Sequence, residues 1–358
     1  MDELEQARVE INAIDKEMAA LFERRMQAVK DVAAYKLAHQ LPILDVSREQ
    51  AVIRKNLEYL QDESLKPYFQ QVLEMMMQVS RDFQKHKMGQ RCVVYPGVEG
   101  AFSHIAAKQL FPEASLHQVY TFEEAFQAVE CGEAGFGVVP FENSYTGEVG
   151  EVLDHLLYYD LHIQNVYDLK IQQNLLVLPG TDLADIKQVY SHPQAISQSR
   201  KFLDSYHWEV IPYTNTATAA KYVSETKDPS KAAIASGETA ALYGLEILKE
   251  HINTSDQNTT RFIVISKQMR SFGNRFHILF TLRHAAGQLA KVMQLIAEYG
   301  FNMESIKSRP LHDQPWQYYF YVELDGNIAD PHTADLLRAL EKQCEKVKLL
   351  GAFNARKG

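Results

Sequence analysis

Arg8, Arg25, Lys36, Arg48 and Glu49 stand on a segment with no glycine before Gly89. Charges of this kind near a helical seam point to an anion-binding site built from helices. The only earlier prolines are Pro42 and Pro67, so residues 1–88 read as three helices interrupted twice. Leu4, Ala7, Ile11, Ile14, Met18 and Leu21 recur at steps of three and four, Ala28, Val32 and Tyr35 continue the series, and Arg25 is a member of the stripe. A cation there costs stability unless it is paired or meets a ligand. Arg8 and Lys36 share one edge of the stripe. At 1.5 Å per residue Arg8 lies about 25 Å from Arg25 and about 42 Å from Lys36, too far for one small molecule to touch all three within one chain. Antiparallel packing of two copies brings Arg8 of one to the Arg25–Lys36 stretch of the other and gives two equivalent sites. Spacing alone leaves this open against a solvated coiled coil with stray charges.

The elements after residue 88 differ in texture. Glycine appears, and residues 92–95, 136–139, 175–178, 188–190, 209–211, 232–235 and 262–265 read as buried strands with helical stretches between them. This predicts a two-lobed α/β domain over 91–268. Polar clusters follow those strands: 97–104 with Ser103, then Glu142, Asn143 and Ser144, then 214–218 with Thr216, then Ser236, Gly237 and Glu238. Open α/β sheets bind ligands there, and exposed N–H groups at helix starts favour carboxylates. Each cluster alone is equally a cap or a turn. Beyond a linker at 267–274, the order βαββαβ predicts a ferredoxin-like α+β unit over 274–358.

Composition narrows the function classes. A net charge of -9 with no Lys/Arg-rich run argues against non-specific nucleic-acid binding. The three cysteines are widely separated and the histidines form no H-E-x-x-H pattern, so neither a disulfide framework nor a metal site is expected. No apolar run reaches membrane-span length, and the acidic, polar start is unlike a signal peptide, which places the chain in the cytoplasm.

Arg8 with Ile11 and Asp15, then Arg25, Lys36, the run Asp45-Val46-Ser47-Arg48-Glu49, and finally Ser80 and Gln84 resemble the all-helical class of chorismate mutase. The resemblance implies an all-α mutase domain over 1–88, in which Arg8 of a partner chain and Arg25 clamp two carboxylates. Lys36 and Gln84 would donate to the breaking ether oxygen, Glu49 and Asp45 would hold the ring hydroxyl, and Arg48 and Ser80 would complete the wall. The 97–104 stretch, Pro140-Phe141-Glu142-Asn143-Ser144 and above all Asn258-Thr259-Thr260-Arg261-Phe262 resemble prephenate dehydratase, although Asn215 stands where a serine is common before Thr216 and Phe141 replaces a smaller aliphatic residue. By that resemblance Thr260 helps protonate the departing hydroxyl and Arg261 organises the site. Ser103, Glu142, Asn143, Ser144 and Thr216 bind substrate, with Glu142 the alternative acid.

Gly287, Leu289 and Ala290 together with Ser308, Arg309 and Pro310 resemble the amino-acid-binding elements of the ACT domains attached to prephenate dehydratases, with Lys307 where a glutamate is usual. The whole implies a cofactor-free, homo-oligomeric, bifunctional chorismate mutase and prephenate dehydratase of phenylalanine biosynthesis, regulated by L-phenylalanine. The reading from another class is a ligand-binding regulator made of a dimerising coiled coil and two small-molecule sensors. It gives no reason for Arg25 on a seam together with Lys36, Glu49 and Gln84.

Overall fold

The computed structural model describes residues 2–39, 41, 44–89, 92–255 and 257–354 and divides into two compact units, Met1–Arg91 and Cys92–Gly358. In the first, α1 (Glu3–Ala38) is followed by α2 (Val46–Leu57) and, after a 3-10 turn at Glu63–Leu65, by α3 (Lys66–Gly89). Asp45 opens α2 by accepting the N–H of Arg48 at 2.9 Å. Pro67 enters α3 in its first turn, where its missing N–H breaks no helical bond. The first expected break, at Pro42, lies outside the described residues. Leu4, Ile11, Ile14, Met18 and Leu21 are each half or more exposed, and among the described apolar side chains of this unit only Ala33 and Leu73 are buried. The predicted stripe therefore exists but is not covered by the described residues of its own unit.

The second unit opens with β1 (Cys92–Pro96), α4 (Phe102–Leu110), β2 (Ser115–Val119), α5 (Phe122–Glu130), β3 (Phe136–Asn143), β4 (Gly147–Glu148), α6 (Gly150–Tyr158) and β5 (His162–Lys170). The chain then crosses into a second lobe of β6 (Asn174–Val177), β7 (Gln188–Ser191), α7 (Pro193–Gln198), α8 (Arg200–Leu203), β8 (Glu209–Pro212), α9 (Thr216–Thr226), β9 (Lys231–Ala235), α10 (Gly237–Tyr243) and β10 (Glu246–Lys249). It returns as β11 (Thr259–Ser266). The first sheet runs β2-β1-β3-β11-β5 with β4 beside β3, and the second runs β10-β6-β9-β7-β8. All seven expected strands are present, although β8 lies at a sheet edge and is exposed to half-buried where burial was expected; β2, β4, β5 and β10 are additional.

The two crossovers are joined to each other. Ile171 N–H donates to Asn258 O at 2.8 Å and Ile252 N–H to Gln173 O at 2.9 Å. Asn253 ties both ends, accepting Gln173 N–H on Oδ1 at 2.7 Å and donating from Nδ2 to Ile171 O at 3.0 Å.

The remaining elements, β12 (Arg275–Thr281), α11 (Gln288–Glu298), β13 (Asn302–Pro310), β14 (Tyr318–Asp325), α12 (Pro331–Gln343) and β15 (Lys346–Phe353), form the expected βαββαβ unit with sheet order β13-β14-β12-β15. Its helices cover one face through Val292, Ile296, Leu336 and Leu340. The other face enters the core of the first lobe, where Leu279, Tyr319, Tyr321 and Leu350 pack with Phe141, Leu156, Ile163, Ile263 and Ile265. Gly351 makes this approach possible: at φ +128° it sits so close that a Cβ would strike the carbonyl oxygen of Ile163. Gly351→Ala is expected to lower the unfolding free energy of the second unit by about 3 kcal/mol, through both strain and overpacking. Urea unfolding curves compare the two proteins, and an unchanged midpoint would show that the seam yields.

Candidate active site

A cleft of about 420 Å³ opens between the two lobes of the second unit. The first lobe lines it with Gly97, Ser103, Asn143, Thr146, Thr260 and Phe262, the second with His192, Gln198, Thr214, Asn215 and Thr216, and the crossover with Ile171 and Gln173. These positions follow from local folding. Ser103 lies in the first turn of α4. Asn215 caps α9 by accepting Thr218 N–H at 2.7 Å, so the residue that departs from the family pattern serves as a helix cap. One helix start from each lobe thus opens on the cleft.

Asn143 and Thr260 are brought together because β3 and β11 pair antiparallel with these residues opposite each other. Asn143 Nδ2 donates to Thr260 Oγ1 at 2.9 Å and to Asn258 Oδ1 at 2.9 Å, while its Oδ1 accepts the N–H groups of Tyr145 and Thr146. The amide is saturated and therefore rigid. Because Thr260 Oγ1 is an acceptor in this bond, its own proton is left to donate elsewhere. His192, half-buried, accepts Gln194 N–H on Nδ1 at 3.2 Å. Its proton then belongs on Nε2, and burial lowers its pKa, favouring the neutral ring.

The neighbours of Asn143 and Thr260 point the other way. Glu142 accepts from Lys307 Nζ of β13 at 2.6 Å. Arg261 grips Asp168 with both arms, at 2.8 and 3.0 Å, and lies 3.6 Å from Glu323 of β14. Glu142 and Arg261, expected to act within the cleft, are turned in this structure by strand alternation toward the βαββαβ sheet. Ser144 is also committed elsewhere, accepting Thr259 N–H and donating to Gln257 O. Burial alone would raise the carboxyl of Glu323. The His277 imidazole together with the guanidinium groups of Arg261 and Arg275 outweighs that and holds it at about 2.

In the helical unit, α1 and α3 bring Arg25 to Ser80, whose Oγ accepts from Nη1 at 2.5 Å. Burial lowers the pKa of Arg25. One turn on, Gln84 is buried, donating from Nε2 to Ser80 O at 3.3 Å, with its Oε1 unpartnered among the described residues. Glu49 is ion-paired with Arg81, a residue that sequence reasoning did not single out. Lys36 is half-buried near the end of α1, and Arg8 and Arg48 are exposed. Asp45 spends its carboxylate on capping α2, accepting from Arg48 N and Ser47 Oγ, and these bonds lower its pKa.

At the regulatory end, Gly287 (φ +80°) caps α11, whose first turn holds Leu289 and Ala290. Ser308 and Pro310 are exposed on β13. Arg309 instead forms a two-armed pair with Asp154 of α6 at 2.9 and 2.8 Å, so in this structure it serves the seam with the first lobe. Sequence reasoning missed Gln173, His192 and Gln198 in the cleft. His192 directly follows a predicted strand, the same signal that found the other clusters.

Three family models match in succession: chorismate mutase type II at residues 7–85, prephenate dehydratase at 93–270 and the ACT domain at 277–342. The bifunctional chorismate mutase/prephenate dehydratase of Enterobacter agglomerans is 30% identical over 97% of this chain and 94% of its own length. That of Buchnera aphidicola subsp. Acyrthosiphon pisum is 29% identical over 98% and 96%. Among solved structures, prephenate dehydratase from Arthrobacter aurescens in complex with L-Phe is 28% identical with a TM-score of 0.69, covering 74% of this chain and 90% of that one. GqqA, described as a novel type of quorum-quenching acylase, is 28% identical with a TM-score of 0.68, covering 74% and 98%.

The depressed carboxyl of Glu323 has a consequence for acid stability. Its folded value lies below the ordinary 4.5, so its contribution is complete above about pH 5 and disappears as pH falls toward about 2. The stability difference between the protein and Glu323→Gln, measured by denaturant unfolding across that range, should shrink from about 2 kcal/mol toward zero. A pH-independent difference would count against the ion cluster as its source.

Proposed function

Since this chain belongs to the bifunctional chorismate mutase/prephenate dehydratase family, we propose that its two steps run at two separate places, the α1–α3 face of the helical unit and the cleft between the α/β lobes. The enzyme rearranges chorismate to prephenate and converts prephenate to phenylpyruvate. The corresponding domains are proposed as 1–88, 91–268 and 274–358.

The mutase step is a pericyclic shift with no proton transfer, so the protein has only to hold a compact conformer and stabilise charge on the ether oxygen. Arg25, set by Ser80, and Arg8 of a partner subunit clamp the two carboxylates. Lys36 and the amide of Gln84 donate to the ether oxygen, and Glu49, oriented by Arg81, takes the ring hydroxyl. The exposed stripe on α1 supports a homodimer, because each copy leaves uncovered the surface that a second copy would bury.

In the dehydratase step the bond from ring C1 to its carboxylate breaks, its electron pair enters the ring, and the C4 hydroxyl leaves. One proton is taken up, and the products are phenylpyruvate, carbon dioxide and water. The observation that carries the assignment is the Asn143–Thr260 hydrogen bond inside the cleft, which leaves the Thr260 proton free for the departing oxygen. Threonine is too weak an acid to supply that proton unaided, so it relays one. The pyruvyl carboxylate keeps its charge throughout and suits the helix starts at Ser103 and Thr216; the ring carboxylate loses its charge and gains nothing from being held.

Regulation by L-phenylalanine is supported by the ACT match and by the L-Phe complex of the Arthrobacter aurescens enzyme. The route to the cleft is short, since Lys307 and Glu323 hold Glu142 and Arg261, the residues adjoining Asn143 and Thr260. No helix among the described residues is long and apolar enough to cross a membrane, and a biosynthetic role supports a cytoplasmic location.

Thr260→Val should reduce phenylpyruvate formation from prephenate by about 1000-fold or more while leaving chorismate consumption unchanged; a variant that keeps most of the dehydratase rate sinks the assignment. Lys36→Ala should lower the mutase kcat about 100-fold and weaken a bound substrate analogue far less. Equal losses in both would make Lys36 a simple binding residue.

A further inference from the structure

Gln173 is the most deeply buried polar residue of the cleft lining, only 2% exposed, and its Oε1 has no hydrogen-bond partner. Its backbone has no freedom to escape that position. The N–H is held by Asn253 Oδ1 and the carbonyl by Ile252 N–H, which fixes the residue on the crossover between the lobes. A buried acceptor without a donor destabilises a fold, whereas an apolar side chain of the same shape would not. Such an atom is expected where a ligand supplies the missing partner.

Prephenate offers one suitable group. At neutral pH its two carboxylates and its keto oxygen only accept hydrogen bonds, and the ring hydroxyl is its one O–H donor. We propose that Gln173 binds the substrate directly, accepting the hydrogen bond of the ring hydroxyl on its side-chain oxygen. Oε1 is shielded in this structure, and on substrate binding rotation about the terminal torsion of the side chain, which is broad and nearly two-fold, would turn it to the ring hydroxyl. The hydroxyl then donates to Gln173 and accepts from Thr260 on a lone pair, so the leaving oxygen is presented to its proton donor in one orientation. Thr260 relays the proton and Gln173 fixes where it lands.

The inference rests on the reading of the interlobe cleft as the dehydratase site, and the test separates the two. Gln173→Met, which keeps length and removes polarity, and Thr260→Val are each assayed with prephenate and with chorismate in the full chain, and their thermal unfolding is recorded. The expected result for Gln173→Met is a fall of at least 10-fold in dehydratase kcat/KM, carried mainly by kcat, with an unchanged mutase rate and an unfolding midpoint equal to or above that of the parent. A dehydratase loss accompanied by a lower midpoint would make Gln173 a structural residue and overturn the proposal. Full activity of Gln173→Met beside an inactive Thr260→Val would overturn it while leaving the cleft assignment intact. Full activity of both would remove the cleft assignment as well.

Discussion

The antiparallel insertion of β11 between β3 and β5 is the constraint on which the second unit depends. The strand arrives from the far lobe, so its pairing closes both lobes into one folded body. Phe262, Ile263, Val264 and Ile265 are buried there, each contributing about 1.5–3 kcal/mol relative to exposure. The register that buries them also sets Thr260 opposite Asn143. Alternation along the same two strands sends Arg261 and Glu142 to the opposite face, where the βαββαβ sheet lies. The cleft and the seam with the βαββαβ sheet thus lie on two sides of one strand pair, and neither can shift without the other.

The seam between that sheet and the first lobe mixes apolar packing with buried charge. Tyr319 and Tyr321 join the core, while Lys307, Arg309, Arg261 and Glu323 meet partners across the seam. Removing charges from water at such a place costs several kcal/mol per ion, and the pairs repay this only where geometry and extra hydrogen bonds are good. The two-armed pair Arg309–Asp154 meets that condition across the seam, while Arg261, gripped by Asp168 of its own sheet, reaches Glu323 on the other side. Their contribution is to orientation: sheets packed through apolar side chains alone could slide, whereas paired forks accept one registration.

Much of this was legible in the sequence. The α1 stripe, the seven continuous apolar strands and the βαββαβ order carry strong periodic signals, and each appears where its pattern placed it. Three of the four missed strands have a common cause. β2 and β5 lie at the sheet edges and β10 at the edge of the second sheet, where half-exposed residues such as those of Ser115–Val119 give no continuous apolar run. For the site, motif resemblance identified Asn143 and Thr260, but the direction of a side chain depends on register. The irregularity between Arg261 and Phe262 has no local sequence mark. Gln173 escaped notice because two glutamines and an asparagine after a strand look like any polar turn; burial by a second crossover, some eighty residues later, changes their meaning.

The joined crossovers determine how the lobes are able to move. Two independent tethers would permit twisting, sliding and bending alike. A hydrogen-bonded ribbon carrying Ile171, Gln173, Ile252 and Asn253 stiffens the first two and leaves bending across its width as the softest motion. Displacement in such a motion grows with distance from the axis. In such bending Ser103 and Thr216, out on the lobes, would travel along arcs, while Gln173 would turn almost in place as the fixed point from which the depth of the cleft is measured.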